Sequence, residues 1–193
     1  MTLNKIKEVA LKHFSEKSYD GVSMSQIATD VGIKKQSIYT YFKGKDELFL
    51  QICSDTFTNE LNLVINFINN NEDQPIEKFL YNFLLNFIKQ YEKDNTSKFW
   101  LHISFFPPLH MYDEIMNYVY TYLNKLEEVI IPIIAKAKLK EEISSTIDIK
   151  KAANAFIAIL DGISIEMLYG DQTRAVKRLE ASWYLYWRGL SKD

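Results

Sequence analysis

Nine polar side chains crowd into residues 34–45 of the stretch KKQSIYTYFKGKDEL (34–48). They are Lys34, Lys35, Gln36, Ser37, Tyr39, Thr40, Tyr41, Lys43 and Lys45, and no acid intervenes before Asp46. Ammonium groups and hydroxyls are donors suited to phosphate oxygens, and the Gln36 amide can make a bidentate contact with adenine. Lys35, Gln36 and Ser37 would open a short helix, where side chains can reach into a DNA groove. Tyr39, Thr40 and Tyr41 would bring hydroxyls to the backbone. Lys45 would begin the next helix, where charge and free backbone N–H groups together favour a phosphate. The same composition also suits a solvated helix hairpin in a bundle, so these residues alone leave both readings open.

Such a helix has to be held by something. Ile38 and Phe42 are four residues apart, which turns both to one side and fastens the helix on Ile27, Ala28 and Leu48. Before it, residues 4–17 place Ile6, Val9, Ala10, His13 and Phe14 on one helical face. The stretch SMSQIATDVG then opens with Ser23 and Gln26 in capping-box spacing, and Gly32 can take the left-handed conformation that stops a helix. Two short helices across a turn of three or four residues form a helix-turn-helix.

Further helices are expected from Asp46 to about Ile68, from Pro75 through Tyr91, over KFWLHISFF, over 110–139 with Pro132 kinking or interrupting it, from Asp148 to Tyr169, and over 173–190. NNNEDQ, KDNTS and KEEISST separate them. No strand alternation persists, so the fold class is all-α with about nine helices.

Composition narrows the function. The formal charge is −2, yet residues 1–50 carry eight lysines against six acids, and the remainder carries fifteen bases against nineteen acids. A basic end on an acidic body implies an anionic partner for the first fifty residues. The single cysteine, Cys53, excludes an internal disulfide and suits a reducing compartment. No signal peptide is evident, and no apolar stretch reaches the ~18–20 residues of a membrane span. The outward tyrosines beside Gln and Ser leave no apolar outer face for membrane insertion. Three histidines without a third ligand at a useful spacing argue against a metal, and no nucleophile elbow, phosphate loop or paired carboxylate motif suggests an enzyme or a cofactor. The location expected is the cytoplasm.

The stretch GVSMSQIATDVGIKKQSIYTYFKGKDEL resembles the DNA-binding region of the TetR family. The parts that carry the resemblance are Ile27-Ala28, Gly32-Ile33, Tyr39-Thr40-Tyr41-Phe42, Lys43-Gly44-Lys45 and Glu47-Leu48. It implies an N-terminal three-helix helix-turn-helix domain over residues 1–47, and a helical effector-binding and dimerisation domain over residues 48–193. It further implies a homodimeric regulator of double-stranded operator DNA, most simply a repressor, released by a small molecule. By resemblance the DNA contacts are Ser25, Lys35, Gln36, Ser37, Tyr39, Thr40, Tyr41 and Lys45. Lys34-Lys35 departs from the small or single-lysine residues more usual there.

Most aromatic residues lie beyond residue 50. The stripe Phe79, Phe83, Phe87 and Tyr91 reads by default as core, yet helices apolar on two sides also line cavities. Phe83, Phe87, Trp100, Phe105, Tyr118, Tyr122 and Phe156 are the expected effector pocket, suited to a lipophilic or aromatic molecule, neutral or cationic. Asp161 and Glu166 interrupt an apolar helix and would pair with a neighbouring helix or with a basic ligand. Ala152, Ala155, Ile159, Gly162 and Ile163, with Trp183, Tyr186 and Trp187, are the expected dimer interface. Its two reading heads would meet half-sites ~34–36 Å apart. Two other readings remain: a helical small-molecule-binding protein, and an architectural DNA binder without effector control.

Overall fold

The computed structural model describes residues Thr2–Lys192. Ser23 starts the decisive turn. Its Oγ accepts the Gln26 N–H at 3.3 Å, and the Gln26 side-chain oxygen accepts the Ser23 N–H at 2.8 Å. These reciprocal bonds satisfy donors that the first helical turn leaves open. At the other end Gly32 sits at φ 81°, and its N–H donates to Ala28 O and Thr29 O. The helix so bounded, α2, is Met24–Val31. It follows α1 (Thr2–Lys17) and precedes α3 (Lys35–Ile38).

The remaining helices are α4 (Lys45–Asn71), α5 (Ile76–Lys93), α6 (Asn95–Phe105), α7 (Tyr112–Leu139), α8 (Ile149–Tyr169) and α9 (Gln172–Leu190), with a 3-10 turn at Leu109–Met111. Among the described residues the fold is all-α with nine α-helices and no strand. They divide into two compact units, residues 1–60 with 94–119, and residues 61–93 with 120–193.

In the first unit Phe49 is the hub. Its ring lies 4.8 Å from Phe14, 5.1 Å from Tyr19 and 5.5 Å from Phe99, each edge-on. Such pairs add attraction beyond area burial. Ile6, Ala10 and Phe14 of α1, Ile27 and Ala28 of α2, and Ile38, Phe42 and Leu48 are buried as the periodicity requires. Lys7 and Asp55 tie α1 to α4 at 2.6 Å, and His13 and Asp30 tie α1 to α2 at 2.7 Å. The unit is larger than residues 1–47 because α6 brings Phe99 onto the same core.

The second unit is built on α5, α8 and α9. Phe79 and Phe83 are buried and meet Phe67, and Phe83 also meets Phe156 of α8. Phe87 and Tyr91 are half-buried.

Several expectations are corrected. The segment KDNTS does not separate helices over its whole length, because Asp94 accepts the Thr96 N–H at 3.0 Å and starts α6 at Asn95. The three asparagines at 69–71 remain helical in α4. Pro132 does not interrupt α7; it is exposed, so water can serve the carbonyl its ring leaves unpaired. Finally, α8 has the length and mean hydropathy (1.4) that a membrane span requires, contrary to the expectation. Ala152, Ala153, Phe156, Leu160, Ile163 and Met167 are buried, so part of that apolar surface packs into the core of the unit.

The left-handed Gly32 yields the first testable outcome. A Cβ there would meet nothing within 4 Å, so the cost is conformational alone. Gly32→Ala is expected to lower stability by about 1–2 kcal/mol in chemical denaturation. An unchanged midpoint would show that the turn does not depend on this conformation.

Candidate nucleic-acid interface

Only Ile38 of α3 is buried, and Phe42 just beyond it is 5% exposed. Everything else on this element is therefore free to face a partner. Lys35, Gln36 and Thr40 are exposed, Tyr39 and Tyr41 are each 46% exposed, and Ser37 is half-buried. Ser25, near the start of α2, is exposed. Thr40 Oγ1 donates to Ser37 O at 2.7 Å, which closes the last turn, and the Lys35 ammonium lies 5.9 Å from the Tyr39 ring centre. A face of this kind offers several donors and one amide at the surface, while its apolar residues hold it from behind.

Lys45 is placed differently. Its ammonium donates to Tyr19 O at 3.0 Å and to Val22 O at 3.1 Å, and lies 3.8 Å from the Tyr19 ring centre. The group expected to meet a phosphate thus holds the loop between α1 and α2. Tyr19 in turn donates its hydroxyl to Asp46, and His110 lies 3.7 Å from the same carboxylate. Burial, then the Asp46 hydrogen bond and charge, push the Tyr19 phenol well above its usual range. The Lys43 N–H donates to the Glu47 carboxylate, fixing the start of α4.

This arrangement can be set beside known proteins. Residues 6–52 match the model for bacterial regulatory proteins of the tetR family. Over those residues the chain is similar to the DNA-binding segment of that family. A curated relative is the biofilm operon icaADBC HTH-type negative transcriptional regulator IcaR of Staphylococcus epidermidis, 36% identical over 86 residues. That alignment covers 44% of this chain and 44% of IcaR, so it spans less than half of the relative's length. Among solved structures, a putative TetR-family regulator from Mesorhizobium loti superposes with a TM-score of 0.73 at 20% identity, covering 99% of this chain and 97% of that one. The regulator FadR from Bacillus subtilis, solved with stearoyl-CoA, superposes at 0.68 and 16% identity, covering 95% and 97%. At these identities the likeness is one of fold.

The seven expected pocket residues are distributed over both units. Trp100, Phe105 and Tyr118 belong to the first unit, and Phe83, Phe87, Tyr122 and Phe156 to the second. In the first, Phe57 of α4 meets Trp100 at 6.1 Å and Tyr118 at 5.5 Å, while Phe105 is 40% exposed. In the second, Phe83 and Phe156 share an edge contact, Tyr122 is buried and Phe87 is half-buried. A cavity of about 120 Å³ in the second unit has other walls, among them Ile68, Phe79, Ile133 and Lys136.

The expected interface residues also divide. Trp183 stacks on Trp187 and meets Tyr81, and Tyr186 donates to Ala152 O at 2.9 Å, so these rings pack within their own unit. Ile163 is buried. With Ile159 and Gly162 it lines an open groove of about 300 Å³, together with Ala158, Glu166, Arg178 and Ser182. Glu166 is gripped by Arg174 at 2.7 Å and Arg178 at 3.0 Å, the structural pairing, and Arg174 first among them holds its carboxyl below the usual range. Leu185, seven residues after Arg178, is 70% exposed.

One group went unread in the sequence. Glu60 is 5% exposed, and its Oε1 accepts the Ser97 hydroxyl at 2.9 Å. The signal was available: Phe49, Ile52, Cys53, Thr56 and Glu60 recur at three- and four-residue steps along the buried face of α4. Burial pushes the carboxyl up to about 7, against an ordinary 4.5. Between those values the unfolded chain releases a proton that the folded chain keeps, so this group lowers stability as pH rises from 4.5 to 7. Glu60→Gln should therefore raise the melting temperature more at pH 8 than at pH 5. Equal differences at both pH values would contradict a buried, proton-holding carboxyl.

Proposed function

We propose that the protein is a homodimeric repressor that binds operator DNA in the cytoplasm and leaves it when a small lipophilic or aromatic molecule, neutral or cationic, binds its helical body. The observation that carries this reading is the α3 face. Its lysine, glutamine and tyrosines are exposed together, on a turn fixed by two caps and two buried anchors, inside the segment the tetR model covers. The negative regulation in IcaR's name supports repression over activation. The bound acyl-CoA in the FadR structure supports effector control over a purely architectural role.

In this reading Lys35, Gln36, Ser37, Tyr39, Thr40 and Tyr41 face the duplex, Ser25 adds a hydroxyl from α2, and Lys45 acts by holding the turn. Lys35→Ala is expected to weaken binding to every duplex without lowering the melting temperature, and to reduce the salt slope by about one. Gln36→Ala is expected to cost roughly 1–3 kcal/mol at one base position and to relax preference there. Unchanged affinity after both substitutions would overturn the α3 assignment. Lys45→Ala separates holding from touching, because it should lower stability and affinity together.

Dimerisation is assigned to the groove face of α8 and α9. Ile159, Gly162 and Leu185 offer apolar and small surface, and small residues let helices approach closely. Leu185→Glu changes a side chain that is 70% exposed in the protomer, so folding should survive while a buried contact with a second copy would not. Sedimentation is expected to find folded monomers with weakened operator binding. An intact dimer would move the interface to another face.

A further inference from the structure

Glu60 and Ser97 form one rung between α4 and α6, and Phe57 and Trp100 form the next, since each pair is displaced by three residues along its helix. Tyr118 of α7 closes on Phe57 from another side at 5.5 Å. A carboxyl thus lies one turn along α4 from Phe57, whose ring meets two other aromatic rings, all in the first unit. No ion pair forms with Glu60 among the described residues, and the Ser97 hydroxyl is the one neighbouring-helix donor its hydrogen bonds show. Lys7, the base that α1 brings to α4, is taken by Asp55 at 2.6 Å. Asp94 at the head of α6 adds like charge rather than relief.

A buried carboxylate without a cation is costly, and a glutamine would accept from Ser97 at no such cost. Aromatic faces carry negative potential and attract cations. Both halves of the cluster therefore call for the same missing charge. We propose that Glu60, Ser97 and the Phe57, Trp100 and Tyr118 rings recognise the cationic head of an effector, a lipophilic molecule bearing an ammonium group. The proposal deepens the effector reading given above and rests on it. Glu60 binds the ammonium in its ionised form, the rings face its alkyl substituents, and Ser97 fixes the carboxylate's orientation. A carboxyl that titrates near neutrality gives the site a pH dependence: protonation removes the charge the ligand needs.

The experiment uses the full-length protein and three probes with one chain length: dodecyltrimethylammonium, dodecanol and dodecanoate, all below their micellar concentrations. Affinity is measured by calorimetry, and operator release is followed in parallel. At pH 8 the cation is expected to bind at least tenfold more tightly than dodecanol. Its affinity should fall about tenfold between pH 8 and pH 6 as the carboxyl protonates, while that of dodecanol stays level. Glu60→Gln should erase the preference and the pH dependence while still binding dodecanol, and Ser97→Ala should reduce the preference without erasing it. Equal binding of dodecanol or dodecanoate, or an undiminished preference in Glu60→Gln, would overturn the proposal. Where dodecanol binds and releases DNA as well as the cation does, the effector reading survives and the cationic one fails. Where none of the three probes binds, both fail.

Discussion

A four-residue helix cannot hold itself. Isolated helices shorter than ~12–15 residues are marginal in water, because nucleation fixes several residues for each hydrogen bond gained. The helix α3 is Lys35–Ile38, so its conformation is imposed from outside. Ile38 and Phe42 supply the imposition from behind, each contributing roughly 1.5–3 kcal/mol by burial. Gly32 fixes the direction in which the chain arrives, and the Glu47 carboxylate fixes the direction in which it leaves. So short a helix needs this outside support, because its outward side chains face solvent and hold it to nothing.

The same constraint explains how charge is handled. Lys34, Lys35 and Lys43 stay exposed, where water bears the cost of their mutual repulsion. Lys45 is turned inward onto two carbonyls and a tyrosine face. One of four neighbouring ammonium groups is thereby converted from a surface charge into a strut between the α1–α2 loop and α4. Asp46 extends that strut to Tyr19 and to His110 beyond the Pro-Pro break. Exposed positive charge and mechanical support of the turn are thus divided among residues that composition alone treats as equal.

That division also marks what could be read in the sequence. Ser23, Gln26 and Gly32 act locally, through bonds to residues at most four positions away, and spacing identified them directly. The anchors Ile38 and Phe42 followed from helical periodicity. Lys45 did not, because its acceptors lie 23 and 26 residues earlier in the chain, and only folding brings them near. The size of Trp183 and Trp187 suggests interface anchors, while the ring of Tyr81 on α5, which meets Trp183, is a partner that spacing does not reveal. Glu60 lay in plain periodicity on α4 and was passed over because a charged residue is ordinarily taken to face water.

The central claim is that the exposed face of α3 reads duplex DNA as one half of a symmetric pair. Selection from a library of random duplexes by the purified protein tests it most directly. The account expects enrichment of an inverted repeat, with half-sites about one helical turn apart and affinity falling steeply with salt. Enrichment of no sequence after repeated rounds, or of a site without two-fold symmetry, would contradict it.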